Sequence, residues 1–270
     1  MNFKPVQVVG KTIDDVWFEL LRQLYQHGRK YKIDAGSFAG AYRLEFDQVS
    51  GTILEPIRYT DGGVRLPLAV TVPDGVPVPT TDVAIENYFV DYLMDGNLTP
   101  NEHYRYSTWI VGGNYRIPGL VQPSPYDPNN IVEHSGFKVE VPDQLHWCIN
   151  HFKQKGFGNN HCCIQLGYPE SNKAYDRDYG NEMERGTSPC MRLLDFKVIN
   201  DAGINYLCLS TVFRSWDLYA GWPENMGGLA LLMEYVAMEL EVQVGALSYQ
   251  SKGLHCYDYQ LDPLMRRIGA

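Results

Sequence analysis

The sequence lacks the features that mark membrane, secreted and nucleic-acid-binding chains. No apolar run approaches the roughly 18 to 20 residues needed to span a bilayer, and the N-terminal stretch MNFKPVQVVGKTIDDVW has no apolar signal core. A cytoplasmic location with no membrane partner is therefore expected. Basic residues are in deficit, with 23 Lys and Arg against 32 Asp and Glu and a formal net charge of -9. That balance excludes a general duplex-binding surface built on phosphate neutralisation, although a local basic pocket for one phosphate remains open. The six cysteines, Cys148, Cys162, Cys163, Cys190, Cys208 and Cys256, form neither a disulfide framework nor a CxxC metal knuckle. Reduced, packed thiols are expected, and no metal. Repeats, heptads and charge blocks are missing too, which excludes solenoids and coiled coils. What remains is 270 residues of near-average composition, enough to bury a substantial core without crosslinks.

Hydrophobic spacing assigns the elements. Ile13, Val16, Trp17, Leu20, Leu21 and Leu24 recur every three or four residues, with Asp14 and Asp15 in the first turn, and predict a helix over Thr12 to His27. Further helices are expected over Val83 to Met94, closing at Gly96, over Gln144 to Lys155 before Gly156, and over Met226 to Leu240. Strands are expected at Ala41 to Phe46, Thr52 to Ile57, Cys162 to Leu166, Met191 to Val198, Tyr206 to Phe213 and around Leu254 to Tyr259. Asp61-Gly62-Gly63 marks a turn between Tyr59 and the run Val64 to Val72, and the prolines between Pro118 and Asn130 mark a surface excursion. The reading is α+β, a sheet covered by helices in one domain over residues 1–270.

Three segments carry chemistry. Ser188-Pro189-Cys190-Met191-Arg192 sets a cysteine at the start of a strand, where a nearby arginine would favour its charged form. Arg214-Ser215-Trp216-Asp217-Leu218-Tyr219-Ala220-Gly221-Trp222-Pro223-Glu224-Asn225 follows another strand and offers donors for an anion and an amide for a planar base. Gly253-Leu254-His255-Cys256-Tyr257 alternates His255 and Tyr257 onto one strand face.

The order and spacing of these segments resemble the thymidylate synthase family, whose motifs read Pro-Cys-His-x-x-x-Gln-Phe, Arg-Ser-x-Asp-x-x-x-Gly-x-Pro-x-Asn and Asp-x-His-x-Tyr. Pro189, Cys190 and Phe196 match the first. Arg214, Ser215, Asp217, Gly221, Pro223 and Asn225 match the second, and His255 and Tyr257 the third. Weaker likeness runs upstream through Asp143-Gln144-Leu145, Tyr106 and the helix containing Glu86.

The resemblance implies a mixed sheet covered by helices, with one sheet face used for homodimerisation. It also implies one-carbon transfer from 5,10-methylenetetrahydrofolate to carbon 5 of a pyrimidine nucleotide monophosphate. Cys190 would add to carbon 6 and turn the ring into an enolate. Arg214 would assist the thiol and contact the phosphate, Ser215 would add a phosphate hydrogen bond, and Asn225 would read O4 and N3 of the base. An aspartate in place of Asn225 would favour cytosine. His255 and Tyr257 would hold the sugar hydroxyl, and Asp217 and Trp109 would face the folate. Glu86 would be the carboxylate acting through water, with Asp91 and Asp95 competing for that role, and Tyr106 would assist removal of the carbon 5 proton.

Departures from the family pattern set further expectations. Met191 and Asp195 replace a histidine and a glutamine, so the hydrogen bonds around the cysteine must be rebuilt, with Arg192 pairing to Asp195 as one route. Gly253 replaces an aspartate. Asn159-Asn160-His161-Cys162-Cys163 stands where the family donates an arginine pair to the partner subunit, and Arg43 is the candidate for a compensating phosphate ligand. The chain ends thirteen residues after Tyr257, without the extension that closes over folate in common members. Deoxyuridylate methylation is the first reading. Hydroxymethylation of a uridylate or cytidylate, with water replacing hydride, is the second, and a catalytically silent binding module is the third.

Overall fold

The structure, a computed structural model, describes residues 2–34, 38–95, 105–117, 121–123, 131–133, 137–168 and 188–270. In chain order its first elements are β1 (Pro5–Gly10), α1 (Ile13–His27), β2 (Arg29–Lys32), β3 (Tyr42–Glu45), β4 (Gln48–Ile53) and α2 (Asp82–Asn87), the last running on as a π-helical stretch, Tyr88–Met94. Then come α3 (Ser107–Ile110), β5 (Gly113–Ile117), β6 (Val121–Pro123), β7 (Ile131–Glu133), β8 (Phe137–Val141), α4 (Gln144–Lys155) and β9 (Cys163–Gln165). The C-terminal part holds β10 (Met191–Asp201), β11 (Ile204–Phe213), β12 (Trp216–Asp217), α5 (Gly221–Leu240), β13 (Gln243–Ser251), β14 (Leu254–Tyr257) and α6 (Leu261–Ile268).

A mixed six-stranded sheet runs β1-β4-β13-β11-β10-β9, and a smaller one runs β12-β14-β3-β2. The α+β expectation holds. Burial alternates along β4, with Val49, Gly51 and Ile53 inward and Ser50 and Thr52 outward, as period-two geometry requires when helices cover one face. That outer face is polar: Thr52 and Ser248 stand opposite each other with their hydroxyls 3.0 Å apart.

The inner face packs on α5, whose buried residues, from Trp222 through Met226, Leu229 and Met233 to Leu240, cover almost its whole circumference. A helix apolar all round belongs in the centre of a domain. Helix α1 begins at a capping box, Thr12 and Asp15 exchanging side-chain and main-chain bonds at 3.0 and 3.1 Å. Its Trp17 donates to the Leu218 carbonyl at 2.9 Å, which ties α1 to the turn that opens α5.

Several boundaries move. The expected strand at Thr52 to Ile57 is β4, four residues earlier, and no named strand covers Val64 to Val72, where Tyr59 and Arg65 form an isolated bridge around the predicted turn. Helix α5 starts five residues before Met226, since Pro223 is tolerated in a first turn. Strands β1 and β13 and helix α6 were not expected. Gly96 and most of the Pro118 to Asn130 excursion lie outside the described residues, apart from β6.

Candidate active site

The site forms where β10 and β11 meet the smaller sheet. Cys190 is half-buried and immediately precedes β10. Its carbonyl accepts the Arg214 main-chain N–H at 2.9 Å, and the Arg214 guanidinium donates to the carbonyls of Ser188 (2.7 Å) and Pro189 (3.2 Å). Arginine and cysteine are thus one backbone-linked unit. A bulge follows, because the pairing jumps from Met191↔Phe213 to Leu193↔Val212 and leaves Arg192 over. The extra residue turns its guanidinium back to the Ser188 hydroxyl at 2.9 Å, so Arg192 does not pair with Asp195 as expected. Asp195 is half-buried and held above the usual carboxylate range by desolvation. Gly167, at φ +87°, takes a conformation that suits glycine, and a Cβ there would lie 2.9 Å from the Arg192 guanidinium.

Tyr106 is brought to this cluster. It is buried, it accepts the Met191 N–H at 3.3 Å, and it meets Phe213 and Tyr92 edge-on at 6.4 and 5.4 Å. Met191 itself is a core side chain, and Tyr106 and Arg214 hold the main chain on either side of Cys190.

Arg43, Asp217, His255 and Tyr257 also converge. Cross-strand pairs His255↔Glu45, Tyr257↔Arg43 and Asp217↔His255 set all of them, together with Glu45, on one face of the smaller sheet. Tyr257 stands near enough to Cys190 for that thiol to add to the burial-driven rise in its phenol pKa. His255 is 2% exposed, with Nδ1 2.8 Å from the Gly253 carbonyl. A carbonyl only accepts, so Nδ1 carries the hydrogen and Nε2 is left as an acceptor with no partner among the described residues. Desolvation, aided by the charge of Arg43, lowers the His255 pKa. Arg43 Nε lies 2.7 Å from Glu45 Oε2, so a phosphate there would have to use its terminal nitrogens. Burial raises Glu45 despite that arginine. Glu45 escaped the sequence reading because it reads as an ordinary alternating strand charge.

Ser215 is half-buried, and its hydroxyl makes no hydrogen bond among the described residues. Its main chain packs on Gly253, where a Cβ would come within 2.7 Å of the Arg214 carbonyl and 3.2 Å of the Ser215 Cα. That contact accounts for glycine where an aspartate was expected. Asn225, in the second turn of α5, accepts the Trp216 indole N–H at Oδ1, at 2.8 Å. Its NH2 group remains available to a ligand, whereas one of its two acceptor positions is taken.

Other placements differ from expectation. Asp217 Oδ1 caps the turn into α5 through the N–H groups of Tyr219 (2.9 Å) and Ala220 (3.2 Å), and Gln260 bonds both carboxylate oxygens at 2.8 and 3.0 Å. Its first duty is structural. Trp109 is 2% exposed, and its carbonyl receives Gln144 at 2.8 Å. Its side chain packs in the core, as does that of His255. The Glu86 side chain is 53% exposed, pairs with Arg65 at 2.6 Å, and lines a cavity of about 920 Å³ with Phe89, Glu234 and Met238. Asp91 is exposed, whereas Asp95 lies 3.9 Å from Arg105, the neighbour of Tyr106. Of the three carboxylates, Asp95 is the one tied to the element that bears Tyr106.

The fold is α+β, with the Cys190 backbone bonded to Arg214 and the Asn225 amide held by Trp216. The thymidylate synthase family model matches residues 130–269. A Methanosarcina acetivorans protein provisionally named a thymidylate synthase is 42% identical over 253 residues, covering 94% of this chain and 90% of its own. Its provisionally named Methanosarcina mazei counterpart is 26% identical over the same span, with the same coverage. The solved structure of thermostable thymidylate synthase A from Bacillus subtilis shares the fold at a TM-score of 0.56 and 13% identity, covering 96% of this chain and 84% of that one. The chain belongs to the thymidylate synthase family.

Proposed function

We propose that this chain converts deoxyuridylate to thymidylate, taking the one-carbon unit from methylenetetrahydrofolate as cosubstrate. The observation that carries the reading is the Cys190–Arg214 unit, in which nucleophile and cation are tied through the main chain and through the Ser188 and Pro189 carbonyls. Carbon 5 of uracil is a poor nucleophile, and addition of the Cys190 thiolate to carbon 6 makes it an enolate able to attack. Arg214 supplies permanent positive charge beside the sulfur and, with Ser215, a seat for the phosphate. Asn225 meets the base, and His255 Nε2 accepts from a sugar hydroxyl once the ring is uncovered. Tyr106, bonded to the residue after the nucleophile, is placed to receive the carbon 5 proton through water. Asp95, which lies 3.9 Å from Arg105, serves that water. A twofold dimer through the polar outer sheet face completes the reading, and light scattering tests it.

The chemical test is covalent capture. Incubation with 5-fluoro-2′-deoxyuridylate and methylenetetrahydrofolate is expected to leave an adduct on the peptide bearing Cys190, and Cys190→Ala is expected to abolish it with at least a ~10³-fold loss of turnover. An active protein unlabelled at Cys190 would overturn the mechanism. Dihydrofolate formation and a product heavier by one methyl group are expected. A product heavier by one hydroxymethyl group, without dihydrofolate, would instead indicate water as the final reactant.

A further inference from the structure

Trp216 stands between the nucleophile strands and α5. It is 3% exposed, stacked on Phe213 with 3.7 Å between centroids and 6° between planes, and bordered by Tyr249 edge-on at 6.2 Å. Its main-chain N–H is bonded to the Gly253 carbonyl at 2.9 Å. A ring packed on its face and edge, with its backbone tethered, cannot swing its N–H away from Asn225. That N–H reaches Asn225 Oδ1 at 2.8 Å.

An indole nitrogen only donates, so its partner must be the amide oxygen. Half a turn of the Asn225 amide would put two donors face to face at that distance. We propose that Trp216 is a positioning residue that locks the Asn225 amide in one of its two orientations and thereby sets which pyrimidine the site accepts. Uracil presents an N3–H donor beside an O4 acceptor, whereas cytosine presents an N3 acceptor beside an amino donor. A free amide serves both patterns by flipping, but a pinned amide serves one. The inference rests on the reading above, in which Asn225 meets the base and the accepted pattern is that of uracil. No carboxylate is involved in the selection, and the residue responsible lies nine positions before the one that touches substrate.

Trp216→Phe keeps an aromatic ring on Phe213 and removes only the N–H donor and part of the ring. Titration of the full chain with deoxyuridylate and with deoxycytidylate, and kcat/KM for each with methylenetetrahydrofolate, give the discrimination ratio. The wild type is expected to prefer deoxyuridylate, and Trp216→Phe to shrink that preference at least tenfold through a relative gain for deoxycytidylate. Should the phenylalanine variant fail to fold, Trp216→benzothienylalanine, which keeps the ring shape without the N–H, gives the decisive ratio. Equal losses for both nucleotides, leaving the ratio unchanged, would reduce Trp216 to a packing residue and overturn the lock while sparing the proposed reaction. A wild type that binds neither nucleotide would overturn both. A wild-type preference for deoxycytidylate that collapses in the variant would support the lock and overturn the uracil assignment.

Discussion

Arg214 donates its main-chain N–H to the Cys190 carbonyl at 2.9 Å while its guanidinium reaches the carbonyls of Ser188 and Pro189, at 2.7 and 3.2 Å. One residue therefore shapes the backbone approaching Cys190 and sets a guanidinium against the two carbonyls before it. Arg214→Lys keeps the charge and loses the fork. It is expected to raise KM for the nucleotide at least ~10-fold, because a point charge cannot satisfy two carbonyls and a phosphate together. It is also expected to cost about 1.5–3 kcal/mol in urea unfolding, the range for hydrogen bonds to charged groups. Wild-type behaviour in both measurements would show that the fork is not used.

Gly253 has no room for a side chain, since a Cβ would come within 2.7 Å of the Arg214 carbonyl. Gly253→Ala must push β14 or the Arg214–Ser215 backbone aside. A loss of about 1–3 kcal/mol is expected from overpacking, with weaker nucleotide binding because the phosphate-facing residues move. Thermal melting and nucleotide titration of the same variant check both effects.

His255 is buried, and its folded-state pKa lies below its ordinary value. Between the lowered value and about 6.5 the unfolded chain binds more protons than the folded one, so stability rises with pH there and falls as pH drops from 7 toward the lowered pKa. Glu45 works in the opposite direction. Burial raises its pKa, so its contribution is fully present below the ordinary carboxylate pKa and is lost as pH climbs through the raised one. Melting temperatures measured from pH 7 down to pH 5 are expected to fall in the wild type, and to fall less in His255→Gln, which has no proton to gain. Parallel curves for the two proteins would show that another group sets the slope.

The Glu86 carboxylate is engaged in an exposed ion pair with Arg65. Glu86→Gln is expected to change kcat by less than ~2-fold and stability by no more than about 1 kcal/mol, as for other exposed pairs. Asp95→Asn is expected to lower kcat at least ~10-fold, with KM for the nucleotide little changed. The reverse ranking of the two variants in steady-state kinetics would return the carboxylate role to Glu86.

Helices α1 and α4 were legible residue by residue because each signals itself locally: a capping box with an apolar stripe in one, and an Asp143 cap with a Gly156 stop in the other. The matched residues of the Arg214 to Asn225 segment were legible for a similar reason, since their spacing lies within one short stretch of chain. The roles of Trp109 and Glu86 are not legible locally because they lie in weakly matching sequence. There, nothing local distinguishes a buried tryptophan from a ligand-facing one, or a surface carboxylate from one in a cleft. Glu45 and Gln260 were not singled out, because His255 and Asp217 meet them only after separate strands and a terminal turn have been brought together.

Chemical identity and local periodicity are properties of neighbours along the chain, and these were enough to select the α+β class and the family. That the Asn225 amide oxygen is occupied by Trp216, that the Asp95 carboxylate lies near Arg105, and why residue 253 has no side chain emerged only from packing. Hydrogen bonds and steric contacts act over about 3 Å of space whatever the distance along the chain. The pairings that orient this site join residues as far apart along the chain as Arg43 and Tyr257, and Tyr106 and Met191 are bonded across 85 positions.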